Sequence, residues 1–348
     1  MLDIGRVAPF FEAPTHTNPT FKFSSVGGRY AVLAFLPPDA ERAGQMTQAV
    51  SGMRHLLSDD RVVAFFVTSD ENRFRAAGEA PGLRWFFDAN ALIANGYGAL
   101  DADGGHPGRY VVIDPAMRIL AWLETDEALR SFIEALPAPD DHAGVTLFAP
   151  VLVVPRVFEP ELCRRLIDLY DARGGERSGV MREVDGRTVP VLDSFKSRRD
   201  VVVDDQALRD LLRQRLAQRL LPQIHKAFNY KVTRVERYMV ACYDAAEGGY
   251  FNAHRDNTTR GTAHRRFACS INLNAEDFEG GDLRFPEFGS RTYRPPTGGA
   301  VVFSCSLLHE ATLVRSGRRY AFLPFFFDED AEKIRLENLK FLDQAPAA

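Results

Sequence analysis

No cysteine precedes Cys163, and the four in this 348-residue chain (Cys163, Cys242, Cys269 and Cys305) include no Cys-x-x-Cys pair. That argues against thiol redox chemistry in the first third and against a cysteine-built zinc site or disulfide framework; the expectation is four buried thiols. No run approaches the roughly eighteen apolar residues of a membrane-spanning helix. Met1-Leu2-Asp3-Ile4-Gly5 lacks the basic and apolar regions of a signal peptide, so a cytoplasmic protein without a membrane partner is expected. Positive charge is not in excess either. With 43 Lys and Arg against 47 Asp and Glu, the net charge is −4, which argues against a nucleic-acid partner. Internal repeats and low-complexity segments are also missing.

What is present is ordinary globular material: 45% apolar and 26% charged residues, enough for two domains with sizeable cores. Pro137-Ala138-Pro139-Asp140-Asp141-His142-Ala143-Gly144 is a polar, proline-bearing stretch, which suggests domains at 1–137 and 150–330, a linker at 138–149 and a tail at 331–348. In the first third, strand-like runs at Tyr30 to Leu36, Arg61 to Thr68 and Tyr110 to Ile113 alternate with a helical stretch near Gln45 to Leu57. That alternation predicts an α/β domain. After the linker, Phe158-Glu159-Pro160-Glu161 opens a helix with proline in its first turn. A second helix is expected from about Asp205 to Phe228, with Leu208, Leu211, Leu212, Leu216 and Leu220 at helical spacing as core and Pro222 bending or dividing it. Beyond it come short strand-like runs with evenly spaced turns: Arg237 to Tyr243, Phe267 to Leu273, Leu283 to Phe285, Ala300 to Ser304 and Arg318 to Phe327. These predict an antiparallel barrel or jelly roll, making the whole chain α+β.

His254-Arg255-Asp256 follows the Glu247-Gly248-Gly249 turn, His309 lies just past Ala300 to Ser304, and Arg319 comes ten residues later. Two imidazoles and one carboxylate on one side of an iron ion leave its other side open, the ligand set of non-haem Fe(II) oxygenases. An arginine fork can hold a distal carboxylate, which suggests a dicarboxylic co-substrate such as 2-oxoglutarate. About one His-x-Asp/Glu is expected by chance in such a composition, so the ordered set carries the reading, not the triplet. Other residues take plainer roles. Arg318 points away from Arg319 if the strand is regular, His225 favours the end of a helix dipole, and His264 is expected to be exposed. Arg198-Arg199 and Arg265-Arg266 read as solvated surface first and as anion contacts second.

From Pro150 to about Asp328 the chain resembles the Fe(II)/2-oxoglutarate dioxygenases of the prolyl 4-hydroxylase type. His254 and Asp256 match the first metal motif, His309 the distal histidine, Arg319 in Ser316-Gly317-Arg318-Arg319-Tyr320 the co-substrate arginine, and Gly280-Gly281-Asp282-Leu283-Arg284-Phe285 a family strand. The resemblance implies a double-stranded β-helix with supporting helices and catalytic roles for His254, Asp256, His309 and Arg319. It also implies Fe(II) and 2-oxoglutarate as cofactor and co-substrate, with ascorbate as a further expected ligand. Substrate hydroxylation would then release succinate and CO2. Tyr243 corresponds to a co-substrate tyrosine, with Tyr238 and Tyr250 as competitors, and is equally readable as a buried strand tyrosine. Asp256 stands where halogenating relatives carry a small residue, and Phe325 where nucleic-acid demethylases carry a second arginine. The substrate class leans to a peptidyl residue, proline first, over a small metabolite.

Residues 1–137 resemble a peroxiredoxin of the thioredoxin fold, through Gly5-Arg6-Val7-Ala8-Pro9-Phe10-Phe11, Phe86-Phe87-Asp88 and Pro107-Gly108-Arg109-Tyr110-Val111-Val112-Ile113-Asp114. The loop that should hold the peroxidatic cysteine reads Pro37-Pro38-Asp39-Ala40-Glu41-Arg42-Ala43-Gly44-Gln45. Without a thiolate there is no nucleophile for peroxide, so this domain is expected to be redox-inactive. Two other readings of the whole chain stand beside the hydroxylase: a non-catalytic binding or scaffold protein with a structural metal, and, less favoured, a thiol peroxidase.

Overall fold

The structure, a computed structural model, describes residues 1–101 and 107–342. The chain folds into two compact units, one made of residues 1–149 with 286–290, the other of 150–285 with the residues from 291 onward. Among the described residues no helix is long and apolar enough to cross a membrane.

The first unit is built on a five-stranded sheet in the order Leu83–Phe87, Val62–Thr68, Tyr30–Phe35, Arg109–Ile113, Ile119–Leu123. The first three strands are parallel, and the last two join antiparallel. Every residue of Tyr30–Phe35 and Val62–Thr68 is buried, because successive side chains feed opposite faces and both faces are covered. Tyr30, Val32 and Ala34 join one core with Met46 and Val50 of the helix Ala40–Gly52, while Ala31, Leu33 and Phe35 join a second core with Phe86 and Tyr97. Asp39 caps that helix by accepting from the Arg42 amide, and Thr125 caps Asp126–Ala135 in the same way through Ala128. The two tryptophans, Trp85 and Trp122, lie in the two outer strands of this sheet.

The second unit is α+β, with a ten-stranded and a five-stranded antiparallel sheet. Its helices cover one face of the larger sheet. Leu208, Leu212, Leu216, Leu220 and Ile224 are all buried and pack with Val240, Cys242, Tyr320 and Phe322. The alternate residues Ala241 and Tyr243 point to the other face. The long helical stretch is interrupted as its proline demands: Gln206–Arg215 is α-helical, Leu216–Leu220 widens into a π turn, and Leu221–Phe228 resumes with Pro222 in its first turn.

Three segments differ from the sequence reading. The stretch 138–149 is not a bare linker, since Pro139–Asp141 forms a 3-10 turn and the stretch groups with the first unit. The expected tail from 331 starts inside a helix, Glu329–Asn338, with Ala331 fully buried and Asp328 accepting from its amide. An N-capping aspartate followed by acidic residues is a start signal, and it stood in plain view at Asp328-Glu329-Asp330. Residues 343–348 of that tail lie outside the described residues. The run Arg318 to Phe327 is divided, Val314–Phe322 and Phe325–Phe327 being separate strands around Pro324.

Leu212 tests the helix-to-sheet core. Leu212→Ala is expected to cost about 2–5 kcal/mol, from lost burial and the cavity left behind. Urea unfolding followed by circular dichroism measures it, and an unchanged midpoint would remove Leu212 from the core.

Candidate metal centre

In the five-stranded sheet, Tyr250–His254 pairs antiparallel with His309–Ala311, so that His254 lies directly opposite His309. The register shifts between Phe251 and His254, an irregularity of the sort that re-aims a side chain at the end of a strand. Asp256 follows on the loop, fixed by its amide donating to the Cys305 carbonyl at 2.9 Å. His254 Nε2 lies 3.5 Å from one Asp256 oxygen and His309 Nε2 3.3 Å from the other. One potential ligand atom from each residue falls within 4.8 Å of the others.

The outer ring nitrogens settle the tautomers. His254 Nδ1 donates to the Asn252 carbonyl at 2.7 Å, and His309 Nδ1 donates to the Leu307 carbonyl at 3.0 Å. Each Nε2 therefore turns a lone pair toward a carboxylate, and backbone carbonyls hold both rings in place. Three acceptors facing one another repel unless a cation lies among them, so these residues fit a divalent metal. An apolar jacket surrounds them: Phe251 stacks on His254 at 3.6 Å, and Phe303 lies 4.5 Å from His309. Burial, then repulsion from His309, pushes His254 from its ordinary 6.5 down to about 4. Burial alone would raise Asp256, but His309 and His254 outweigh it and hold the carboxyl well below its usual range. Both groups are thus in ligand form at neutral pH. Cys305, beside them, is kept protonated by burial and by the Asp256 charge, so it does not compete as a thiolate.

Arg319 lies across the sheet from Tyr243, their backbones being register partners. It is 3% exposed, whereas its neighbour Arg318 faces outward to Asp244. Its guanidinium donates to Ser270 Oγ at 2.8 Å and to Asn272 Oδ1 at 3.5 Å, and lies over the Tyr243 ring at 5.1 Å. Burial drags its pKa below the ordinary value. Its partners are neutral, so the guanidinium is left with charge to satisfy, which fits an incoming carboxylate. Gly281, in the left-handed region, leaves room for it: a Cβ there would come within 3.2 Å of Arg319 Cδ.

The structure thus brings His254, Asp256 and His309 together, and Arg319 with Tyr243. The Tyr243 hydroxyl accepts from Arg198 Nη1 at 3.4 Å. Three expectations need correction. His264 is not exposed but 2% accessible, with Nε2 bonded to Glu236 at 2.8 Å. Arg265 is buried too, donating to both Glu236 oxygens. Burial would raise the Glu236 carboxyl, but Arg265, His264 and Arg237 outweigh it and hold it well below its usual range. Arg198 is likewise interior, at 9% exposure. Each arginine stands at an inward strand position or beside a buried acid, and a pair of adjacent arginines does not disclose which member turns in. Sequence reading also passed over Ser270 and Asn272. Their signal is alternation: in Phe267–Asn272 the small and polar Ala268, Ser270 and Asn272 alternate with Cys269 and Ile271, which join the helix-side core.

Residues 238–327 match the family model described as the 2OG-Fe(II) oxygenase superfamily. A PKHD-type hydroxylase of Cupriavidus metallidurans is 31% identical over 107 residues, 28% of this chain and 46% of that protein. Another from a Synechococcus strain is 27% identical over 93 residues, 25% of this chain and 41% of that protein. The chain therefore spans less than half the length of these two curated relatives. A Trichoplax adhaerens prolyl hydroxylase, solved with a hypoxia-inducible-factor oxygen degradation domain peptide, is 20% identical over 54% of this chain and 86% of its own, with a TM-score of 0.40. The matched segment is thus similar to 2OG-Fe(II) oxygenase domains.

The depressed His254 value has a sign. An unfolded histidine takes up its proton near 6.5 and the folded one near 4, so the metal-free protein loses stability as pH falls through that window, by on the order of 3 kcal/mol for this group. Urea midpoints between pH 7 and 4 in the presence of a chelator should show this loss. The fall should be shallower in His254→Gln, and an identical slope in the variant would contradict the assignment.

Proposed function

We propose that this protein is an Fe(II)- and 2-oxoglutarate-dependent hydroxylase, with His254, Asp256 and His309 as the iron ligands and Arg319 as the anchor of the co-substrate's distal carboxylate. The observation that carries the reading is the pairing of two unsatisfied sets in one domain: three facing acceptors that call for a cation, and a buried guanidinium that calls for an anion. Bound iron would supply the activation of dioxygen coupled to oxidative decarboxylation of 2-oxoglutarate, yielding succinate and CO2. The chain's own contribution is positioning. The Asn252 and Leu307 carbonyls hold the imidazole tautomers, and the Cys305 carbonyl holds the Asp256 backbone. Ser270 and Asn272 orient the Arg319 fork, and the Phe251, Phe303 and Phe285 rings keep water from the imidazoles. Tyr243 packs against Arg319 and would line the co-substrate pocket.

The substrate is proposed to be a peptidyl residue, with proline as the first candidate, on the strength of the prolyl hydroxylase type of the domain. The ascorbate requirement implied by that type belongs to the same reading. The first unit is read as thioredoxin-like and related to peroxiredoxins. The mixed sheet, with three parallel strands and two antiparallel ones beside them, supports that reading. With the helix Ala40–Gly52 starting where a peroxidatic cysteine would be needed, and no cysteine before Cys163, its role is binding or packing rather than redox catalysis.

Iron-dependent succinate formation from 2-oxoglutarate is the test, and it is expected in the wild type and lost in His254→Ala. A non-catalytic binder would give none. Arg319→Ala should raise the apparent constant for 2-oxoglutarate by roughly thirty-fold to a few thousand-fold, the cost of removing one partner of a buried charge pair. Unchanged saturation would remove Arg319 from the role.

A further inference from the structure

Beside the metal centre stands a second group of basic residues, apart from Arg319. Lys196 lies on the strand Lys196–Ser197, whose backbone partner is Phe251, the residue stacked on His254. Its ammonium sits 5.0 Å from the Phe251 ring centre and donates to Ser178 Oγ at 2.8 Å and the Gly179 carbonyl at 2.6 Å, both neutral acceptors. Two residues on, Arg198 packs over both Tyr243, at 5.8 Å, and Phe251, at 5.9 Å. Arg198 and Arg319 therefore flank the same tyrosine. Arg237 completes the group. Its backbone lies in the left-handed region at φ 67°, which residues bearing a Cβ seldom adopt, and its guanidinium packs over Phe325.

The negative charge nearby does not balance this group. Asp200 meets Arg198 through one oxygen only, at 2.7 Å, leaving Arg198 Nε and the other Asp200 oxygen buried without partners. A fork that could close bidentately is half used. Glu236 is spent on Arg265 and His264, with Arg237 at 3.6 Å as a third claimant. Asp256 belongs to the metal. Burial, followed by repulsion from Arg198, depresses the lysine to about 6 despite attraction from Asp200 and Asp256, and burial with repulsion from Arg265 brings Arg237 to about 10. Burial would lower Arg198 as well, but Asp200 and Tyr243 outweigh it and hold the guanidinium charged, so the groups short of an anion are Lys196, largely uncharged at neutral pH, and Arg237; a carboxylate arriving beside them favours their protonated forms.

We propose that Lys196 and Arg198, with Arg237 beside them, form a carboxylate-binding subsite for the primary substrate, distinct from the Arg319 anchor of 2-oxoglutarate. The proposal rests on the hydroxylase reading and narrows it: the substrate presents a carboxylate, from an acidic side chain or a chain terminus, near the residue to be oxidised. Arg198 is the single residue between the strands Lys196–Ser197 and Arg199–Val202, which pair with Tyr250–His254 and Met239–Asp244, so two ladders hold it and Lys196 against Tyr243 and Phe251.

Equilibrium binding to the full chain, loaded with Fe(II) and 2-oxoglutarate under nitrogen, tests it with two probe pairs. One is acetyl-Pro-Ala as free acid and as amide; the other is acetyl-Pro-Asp-amide and acetyl-Pro-Asn-amide. At least one carboxylate member should bind roughly tenfold or more tightly than its neutral partner, and the pair that discriminates tells terminal from side-chain carboxylate. Lys196→Gln and the charge-retaining Arg198→Lys should each reduce that ratio, the second covering the case in which removing Arg198 charge unfolds the strand. Equal binding of acid and neutral probes in the wild type overturns the subsite. So does a rise in the 2-oxoglutarate constant in both variants with discrimination intact, which would assign these cations to the co-substrate. If the wild type forms no iron-dependent succinate, it is the hydroxylase reading that falls, a result separable from the binding ratios.

Discussion

The pairing of Tyr250–His254 with His309–Ala311 is the constraint on which the second unit's chemistry depends. Hydrogen bonds between two short antiparallel strands put His254 opposite His309, and the adjoining loop delivers Asp256 to both imidazoles. In a sheet, a slip of one residue sends every side chain to the other face. The buried residues on either side of these strands thus do more than stabilise: they exclude the registers in which the two imidazoles would not meet. The same logic operates in the larger sheet. Tyr243 and Arg319 are ladder partners, and their alternates Cys242 and Tyr320 pack toward the helices. One alternation therefore separates a hydrophobic core from a polar site across a single layer of backbone.

Much of this was legible in the sequence. The Gly-Gly turn before His254, the apolar run before His309 and the ordered arginine ten residues later mark positions at strand ends, where loops and ladders jointly aim side chains. The helix of buried leucines and its interruption near Pro222 were equally open to reading, because leucine spacing and proline chemistry are local. Arg198, Arg265 and His264 were misread for the opposite reason. Charge and hydrophilicity say surface, and only tertiary partners such as Asp200 and Glu236 make burial tolerable. The strand alternation that would have assigned Ser270 and Asn272 to the site was present but short, six residues with small side chains on the inward face.

Electrostatically the second unit is organised by scarcity of solvent. Positive groups gather around one aromatic wall, Tyr243 and Phe251, and of these Arg198 alone hydrogen-bonds a carboxylate, Asp200, while Lys196 and Arg319 donate to neutral acceptors. Such an arrangement is poor for stability and good for recognition, since a ligand that brings its own negative charge gains what the empty fold forgoes. On the proposed reading, Arg319 would take the co-substrate and Lys196 with Arg198 the substrate, so the two need not compete.

The placement of the tryptophans offers an optical handle. Trp85 and Trp122 both lie in the sheet of the first unit, and the second unit has neither. Indole emission therefore follows the unfolding of the cysteine-free unit alone, while far-ultraviolet ellipticity averages over both. Where the two signals part company along a denaturant series, the gap measures how far the units melt independently.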